Sequence, residues 1–227
     1  MVTLPPAPRS AETRDALIAA ATVEFAARGF DSVSTREIAA RAGANQALIS
    51  YHFGGKEGLY LAVFEAMAAQ IGKRIDPFVG AIDAHLENAP AGRSSRRVRD
   101  ESLRLLLQLL DGMASLVADE ASAAWGQLIV REQQNPTPAF NVVYERFMGR
   151  ILRALTALLH LIRPQTSEAE ARLIVVTCVG QVFAVRTARA GILRHLGWRT
   201  IGPDELTAIR RRIRSNVTAM LLAKDGS

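Results

Sequence analysis

Residues 34–56 read STREIAARAGANQALISYHFGGK. Ser34 and Glu37 stand at the spacing of a capping box, in which each side chain serves the other's backbone N–H at a helix start. Val33 and Ile38 hold the flanking places of a hydrophobic staple, so this helix start is specified twice. The pattern predicts a helix over 35–42 with Ile38, Ala39 and Ala42 inward. Gly43 tolerates the positive φ that ends it. Asn45 offers a side-chain oxygen to cap a second helix over 46–53. Leu48, Ile49 and Phe53 are its expected inner residues. Gln46, Ala47, Ser50, Tyr51 and His52 share the outer side.

Two short helices joined by a glycine turn, the second with an outer side of small and polar residues, have the layout of a helix-turn-helix that reads DNA. The alternative is an ordinary helical hairpin whose polar residues are merely solvated. Two details weigh against that alternative. Tyr51 and His52 are adjacent large side chains at a helix end, where one is exposed for no structural gain. Lys56 opens the following helix, where a cation opposes the macrodipole. A DNA phosphate nearby turns that liability into a contact.

The first helix ends in FAARGFDSVSTREIA, and RAGANQALISYHFGGKEGLY follows. On these segments residues 11–60 resemble the DNA-binding domain of the TetR family of bacterial transcriptional regulators. The Tyr-His-Phe followed by two small residues and Lys-Glu is the most specific piece. REQQNPTPAF at 131–140 and RHLGW at 194–198 resemble the CecR-like subgroup of that family. The resemblance implies an all-α protein with an N-terminal three-helix DNA-binding domain and a larger helical bundle for regulation and dimerisation. Carried over residue by residue, Thr35, Tyr51, His52 and Lys56 would hold phosphates. Arg36, Gln46, Ala47 and Ser50 would lie nearest the bases, with Asn45 beside them. Arg36 suits guanine and Gln46 adenine. Many relatives carry tyrosine where Ser50 stands, which implies fewer base contacts here. Relatives also commonly have a serine cap where this chain has Gly55, which implies a looser start to the fourth helix. The resemblance further implies a homodimer on a palindromic operator, a small-molecule effector that releases DNA, and control of membrane or efflux genes.

The chain has 227 residues, 49% of them apolar and 6% aromatic, which suits a helical globular protein with a real core. Its single cysteine, Cys178, builds neither a disulfide framework nor a thiolate metal site. The N-terminal MVTLPPAPRSAETR has no hydrophobic signal core, and no window of about 18 apolar residues exists. A cytoplasmic protein with no membrane association is therefore expected. The net charge is +6, but residues 1–74 hold eight Arg/Lys against seven Asp/Glu, 8 − 7 = +1. Much of the remainder sits in Arg210, Arg211, Arg212 and Arg214. Bulk charge is thus weak support for DNA binding, and the reading rests on individual charges in the motif.

Three parts are expected: a disordered arm over 1–10, the DNA-binding domain over 11–55, and a ligand-binding and dimerisation domain over 56–227. The first helix, 11–28, carries Leu17, Ile18, Ala21 and Phe25 at helical spacing and ends at Gly29. Arg9 and Arg14 lie where a DNA backbone is in reach. A connecting helix, 56–75, carries Leu59, Tyr60, Val63, Phe64 and Met67, and Pro77 is expected to stop it. Further helices are read at 78–86, 96–117 and 121–133, with a loop at 87–95. Pro136 ends one helix, Thr137 caps the next and Pro138 fits its first turn, starting a helix over 138–161. Helix 168–190 is apolar nearly all round and must be covered on several sides. With the amphipathic helix 203–222 it is expected to pair with its copies in a homodimer.

No His/Cys cluster, GxSxG, GxxxxGK[ST] or GxGxxG occurs, so neither an enzyme nor a cofactor or metal is expected. Cys178, within an apolar run, reads as inert core. An effector pocket between helices would draw on Met113, Trp125, Leu128, Arg131, Tyr144, Phe147, Cys178 and Gln181. Gln181 and Arg186 are polar within an apolar helix and need partners, in a pocket or an interface. Other readings stand beside the repressor: a transcriptional activator, a protein-interaction module of helix-turn-helix shape with no small-molecule ligand, and an enzyme of helical-bundle type, against which the lack of a catalytic constellation argues.

Overall fold

The computed structural model describes residues 8–89 and 95–223, all of whose regular elements are helical. The side chain of Arg9, residues 1–7 of the expected arm and residues 90–94 of the expected loop lie outside the described residues. The chain divides into two compact units. The first is Met1–Gln70 with Ala123–Tyr144, and the second is Ile71–Ser122 with Glu145–Ser227.

In the first unit, α1 (Pro8–Arg28) begins inside the expected arm. Its buried stripe is Leu17, Ile18, Ala21 and Phe25, as the spacing predicts. The helices α2 (Thr35–Arg41) and α3 (Ala47–Phe53) follow, then α4 (Lys56–Glu87), whose first turns belong to this unit. Helix α6 (Ala123–Gln134) packs on α1, and α7 (Pro138–Val143) on α6. Thr137 caps α7 by accepting from the Ala139 N–H at 3.2 Å, with Pro138 in the first turn.

Helix α4 does not stop at Pro77. It runs to Glu87 and absorbs the separate helix expected over 78–86. The buried stripe explains this: Leu59, Val63, Met67, Ile71, Ile75, Val79 and Ile82 recur every three or four residues straight across the proline. Pro77 itself is exposed, so water can serve the carbonyl that its missing N–H leaves free. Packing along the stripe outweighs the local preference. The expected boundary at 55/56 differs from the observed division for a similar reason. The first turns of α4 carry core residues of the first unit, and the division falls at Gln70/Ile71.

The second unit is built on α5 (Arg96–Ala118), capped by Ser95, whose side chain accepts from the Val98 N–H. Leu105, Leu106, Leu107, Leu109, Leu110, Met113 and Ala114 are all buried, so α5 is covered nearly all round. Helices α8 (Gly149–Ile162), α9 (Glu168–Thr187) and α11 (Pro203–Leu222) pack on it. The helix expected over 138–161 is interrupted by a π turn at Tyr144–Met148. The interface helix expected to reach 190 ends at Thr187, and α10 (Arg189–Leu196) leaves it at 79°. Arg186 donates to the Asp119 carbonyl at 2.7 Å and to Ser122 Oγ at 3.4 Å, and Asn216 of α11 donates to Gln181 at 3.2 Å. Both polar residues singled out on α9 thus find partners within this unit. No single helix among the described residues is long and apolar enough to cross a membrane.

Candidate DNA-reading surface

The capping box forms as predicted. Glu37 accepts from the Ser34 N–H at 2.8 Å and the Ser34 hydroxyl at 2.7 Å, and Ser34 Oγ accepts from the Glu37 N–H at 3.2 Å. Arg28 of α1 donates to the other Glu37 oxygen at 2.8 Å, which ties the end of α1 to the start of α2. These donors, the Ser34 hydroxyl first and the Arg28 guanidinium next, pull the Glu37 carboxyl down to about 2. Val33 and Ile38, the staple pair, are both buried.

Helix α2 ends in a Schellman motif. Gly43 sits at φ +63°, its N–H donates to the Ala40 carbonyl at 3.2 Å, and the Ala44 N–H donates to the Ala39 carbonyl at 2.9 Å. Asn45 Oδ1 then accepts from the Ala47 N–H at 2.9 Å and starts α3. Every turn signal read in 34–46 acts as expected, and each does so through partners within a few residues.

Helix α3 buries Ile49, while Leu48 and Phe53 are half-buried. Gln46, Ala47, Ser50 and Tyr51 are exposed and His52 is half-buried. Tyr51 is 79% exposed, the most exposed of the large hydrophobic side chains among the described residues. Its ring meets the His52 ring edge-on at 5.0 Å. Gln46 donates to the Thr35 hydroxyl at 2.9 Å, so the first residues of the two helices are joined side chain to side chain. Arg36 is exposed and pairs with no described residue. The acids nearby are engaged: Glu24 by Arg41 at 3.0 Å and Arg28 at 3.5 Å, and Glu37 by Arg28. That pairing leaves Arg36 as an available cation on α2.

Lys56 lies over the Phe30 ring, 4.5 Å from its centroid, and reaches the Asp31 carbonyl at 3.5 Å. Its position is thereby fixed by the α1–α2 loop. Phe30 as a platform for Lys56 escaped the sequence reading, because 26 positions separate the two residues. Arg14 of α1 stands over the Phe53 ring at 5.4 Å, which places that cation beside the end of α3. Helix α4 starts with no side-chain cap at Gly55, yet its first turn is pinned otherwise: Gly58 lies so close to the Phe53 carbonyl that an added Cβ would run into it.

The expected effector residues fall in both units. Trp125, Leu128, Arg131 and Tyr144 belong to the first unit, and Met113, Phe147, Cys178 and Gln181 to the second. Leu128, Met113, Phe147 and Cys178 are buried core. Burial pushes the Cys178 thiol up to about 11. Arg131 donates to carbonyls of α1 at 3.4 Å. A cleft of about 930 Å³ in the second unit is lined by His85, Asn88, Arg96, Arg97 and Arg104 among others, and by none of the eight.

Residues 17–63 match the family described as bacterial regulatory proteins, tetR family. Residues 102–224, over half the chain, match the C-terminal domain of the HTH-type transcriptional dual regulator CecR. The CecR of Shigella flexneri is 29% identical over 212 residues, which covers 92% of this chain and 92% of its own. The probable HTH-type transcriptional regulator YttP of Bacillus subtilis (strain 168) is 33% identical over 98 residues, 43% of this chain and 42% of its own. A putative TetR-family transcriptional regulator from Mesorhizobium loti shares the fold with a TM-score of 0.60 at 21% identity, covering 94% of this chain and 96% of its own. The fatty acid degradation regulator FadR from Bacillus halodurans does so with a TM-score of 0.58 at 19% identity, covering 99% and 100%. The capped pair α2–α3, with its exposed second helix, is therefore the DNA-binding element of a known kind of regulator: this chain belongs to the TetR family of bacterial transcriptional regulators, in its CecR-like branch, and is not an enzyme.

Proposed function

We propose that the protein is a homodimeric, effector-responsive repressor that reads a palindromic operator with α3 of each subunit. The observation that carries this reading is the outer strip of α3, where Gln46, Ala47, Ser50 and Tyr51 are exposed while Ile49 anchors the opposite side. Arg36, Gln46, Ala47 and Ser50 face the bases in this reading, with Asn45 holding the helix start. Thr35, Tyr51, His52 and Lys56 bind phosphates. A symmetric dimer places its half-sites about 34 Å apart, one turn of DNA. The second copy would cover the free side of α9, where Leu173 is 59% and Val176 55% exposed. A small-molecule effector taken up by the second unit would shift the two reading heads and lower operator affinity. Genes for membrane or efflux functions are the proposed targets, on the strength of the CecR-like relationship.

Footprinting on DNA flanking the protein's own gene tests the reading. A protected palindrome that is lost in the Gln46→Ala/Tyr51→Ala variant, with folding retained, is the expected result. Sequence-independent binding that the double variant keeps would overturn it, because such binding comes from phosphates alone. An effector that binds tightly yet leaves operator affinity unchanged would overturn the effector role, since coupling between sites is reciprocal. Activation is the second reading. It is favoured by the CecR relative, whose description as a dual regulator names both directions of control. Transcription from the protected promoter with and without the protein separates the two.

A further inference from the structure

We propose that Arg131 and Glu132, in the α6–α7 corner, are positioning residues for operator recognition. This inference rests on the DNA-reading function proposed above. The corner is far from the helix-turn-helix in sequence, yet Ala123–Tyr144 forms one compact unit with Met1–Gln70. Two adjacent residues do the joining, each by a different chemistry.

Arg131 acts on the exit of α1. The last carbonyls of a helix have no N–H partner of their own. The Phe25 carbonyl is served by the Gly29 N–H at 2.9 Å, which leaves those of Ala26 and Ala27. Arg131 Nη2 donates to both at 3.4 Å. A guanidinium there also complements the negative end of the helix dipole. Its Nη1 lies 3.2 Å from where a Cβ on Gly29 would stand, so the left-handed glycine at φ +81° leaves the space that the guanidinium approaches. From Gly29 the chain runs directly into the Ser34 cap of α2. The direction of that exit sets where α2 begins.

Glu132 acts on the other side. It is 1% exposed, and three donors converge on its carboxylate. The Tyr60 hydroxyl donates at 2.8 Å, the Thr137 N–H at 2.9 Å, and the Thr137 hydroxyl at 2.9 and 3.0 Å to its two oxygens. A buried acid satisfied in this way fixes its partners in place. The Tyr60 ring, so held, meets Phe25 at 5.0 Å, Phe30 at 5.0 Å and Phe64 at 4.9 Å, each edge-on. Phe30 in turn carries Lys56. A continuous set of contacts therefore runs from Glu132 through Tyr60 and Phe30 to a cation proposed to hold a DNA phosphate. Neither Arg131 nor Glu132 touches DNA in this account. They set the places of α2 and Lys56, which do.

The test uses the full chain and the duplex that the wild-type protein selects from a random pool. Arg131→Met removes the cation, Arg131→Lys keeps it, and Tyr60→Phe cuts the link to Glu132 while keeping the ring. Affinity for the selected duplex, affinity for an unrelated duplex of equal length, and the folded fraction are measured for each. Arg131→Met and Tyr60→Phe are expected to weaken selected binding by about tenfold, the loss of one well-made base contact. In Arg131→Met unrelated binding should stay within about twofold, because it comes from phosphates, whereas Tyr60→Phe, which acts through the phosphate-holding Lys56, should weaken both duplexes with the folded fraction unchanged. Arg131→Lys should restore most of the loss. Unchanged selected binding in Arg131→Met would overturn the proposal. So would parallel loss of selected binding, unrelated binding and folded protein, which is the mark of a purely structural role. A wild-type protein that selects no sequence would instead bring down the DNA-reading function itself.

Discussion

Helix α4 contains three glycines whose replacement by alanine should act in opposite directions, and Gly58 is the decisive one. In an open helix interior, Gly→Ala stabilises by about 1 kcal/mol through lower backbone entropy in the unfolded chain. Gly80 is such a position: it is exposed, and an added Cβ meets nothing within 4 Å. Gly72 is similar, with only the flexible Asp76 carboxylate nearby at 3.5 Å. At Gly58 the space is filled by the backbone carbonyl of Phe53, the last residue of α3. That atom is no free side-chain end; to move it, the left-handed pair Gly54 and Gly55 must rearrange. Forcing a methyl group into a packed site costs about 1–3 kcal/mol, and a rigid obstacle favours the upper end. Set against the gain of about 1 kcal/mol, the net destabilisation is about 2 kcal/mol. Urea unfolding of Gly58→Ala, Gly72→Ala and Gly80→Ala measures all three signs. Operator binding by Gly58→Ala should also fall, since the displaced atom belongs to the reading helix. A Gly58→Ala protein as stable as Gly80→Ala would refute the close approach and the account of how α4 begins without a cap.

Three further outcomes can be checked with single variants. Glu37 titrates near 2 in the folded chain against an ordinary 4.5, so its contribution is complete above about 4.5 and lost as pH falls toward 2; Glu37→Gln should lower stability near neutral pH and flatten the acid limb in that window, the two curves converging at its acid end. Cys178, with its thiol held near 11 by burial, should resist alkylation at pH 8 until the protein unfolds, and rapid modification of native protein would contradict its core placement. Leu173→Asp with Val176→Asp puts two charges on the free side of α9 and should yield folded monomers in analytical ultracentrifugation, whereas an unchanged dimer would place the interface elsewhere.

What could be read from the sequence divides by range of interaction. The capping box at Ser34, the glycine stop at Gly43, the Asn45 cap and the Thr137–Pro138 start all use partners within a few residues, and all form. Pro77 misled because its local effect is real, but seven buried positions spaced along α4 outweigh it. The place of 123–144 beside the reading head depends on contacts across a hundred residues, such as Arg131 to Ala26, and no local signal encodes them. One clue was present. Glu132 falls three and four positions after Ile129 and Leu128, so α6 carries an acid on its apolar side, and an acid there demands partners. The expected effector residues mix apolar and polar side chains of the bundle, and such character does not distinguish a pocket lining from core; four of the eight, Met113, Leu128, Phe147 and Cys178, are buried.

The charge distribution leads to a last prediction about how the protein holds DNA. The chain is +6, yet residues 1–74 contribute only +1, and the ion pairs of Glu24 and Glu37 engage Arg28 and Arg41 within the head. Of the residues proposed to hold phosphates, Thr35 and Tyr51 carry no charge and donate hydrogen bonds without releasing counterions. Lys56 is the cation among them, and Arg14 is the other candidate placed near α3. Two subunits then neutralise about two to four phosphates, and log affinity should fall with log salt at a slope of about −2 to −4. Fluorescence anisotropy on the selected duplex between about 50 and 200 mM salt measures it. A slope near −8 would mean that further cations, such as Arg210, Arg211, Arg212 and Arg214, also reach DNA, and the reading of Lys56 and Arg14 as the cations that hold phosphates would fail. A shallow slope, by contrast, would show that recognition depends on where a few donors are held rather than on bulk charge, and that is the condition under which Arg131 and Glu132 matter most.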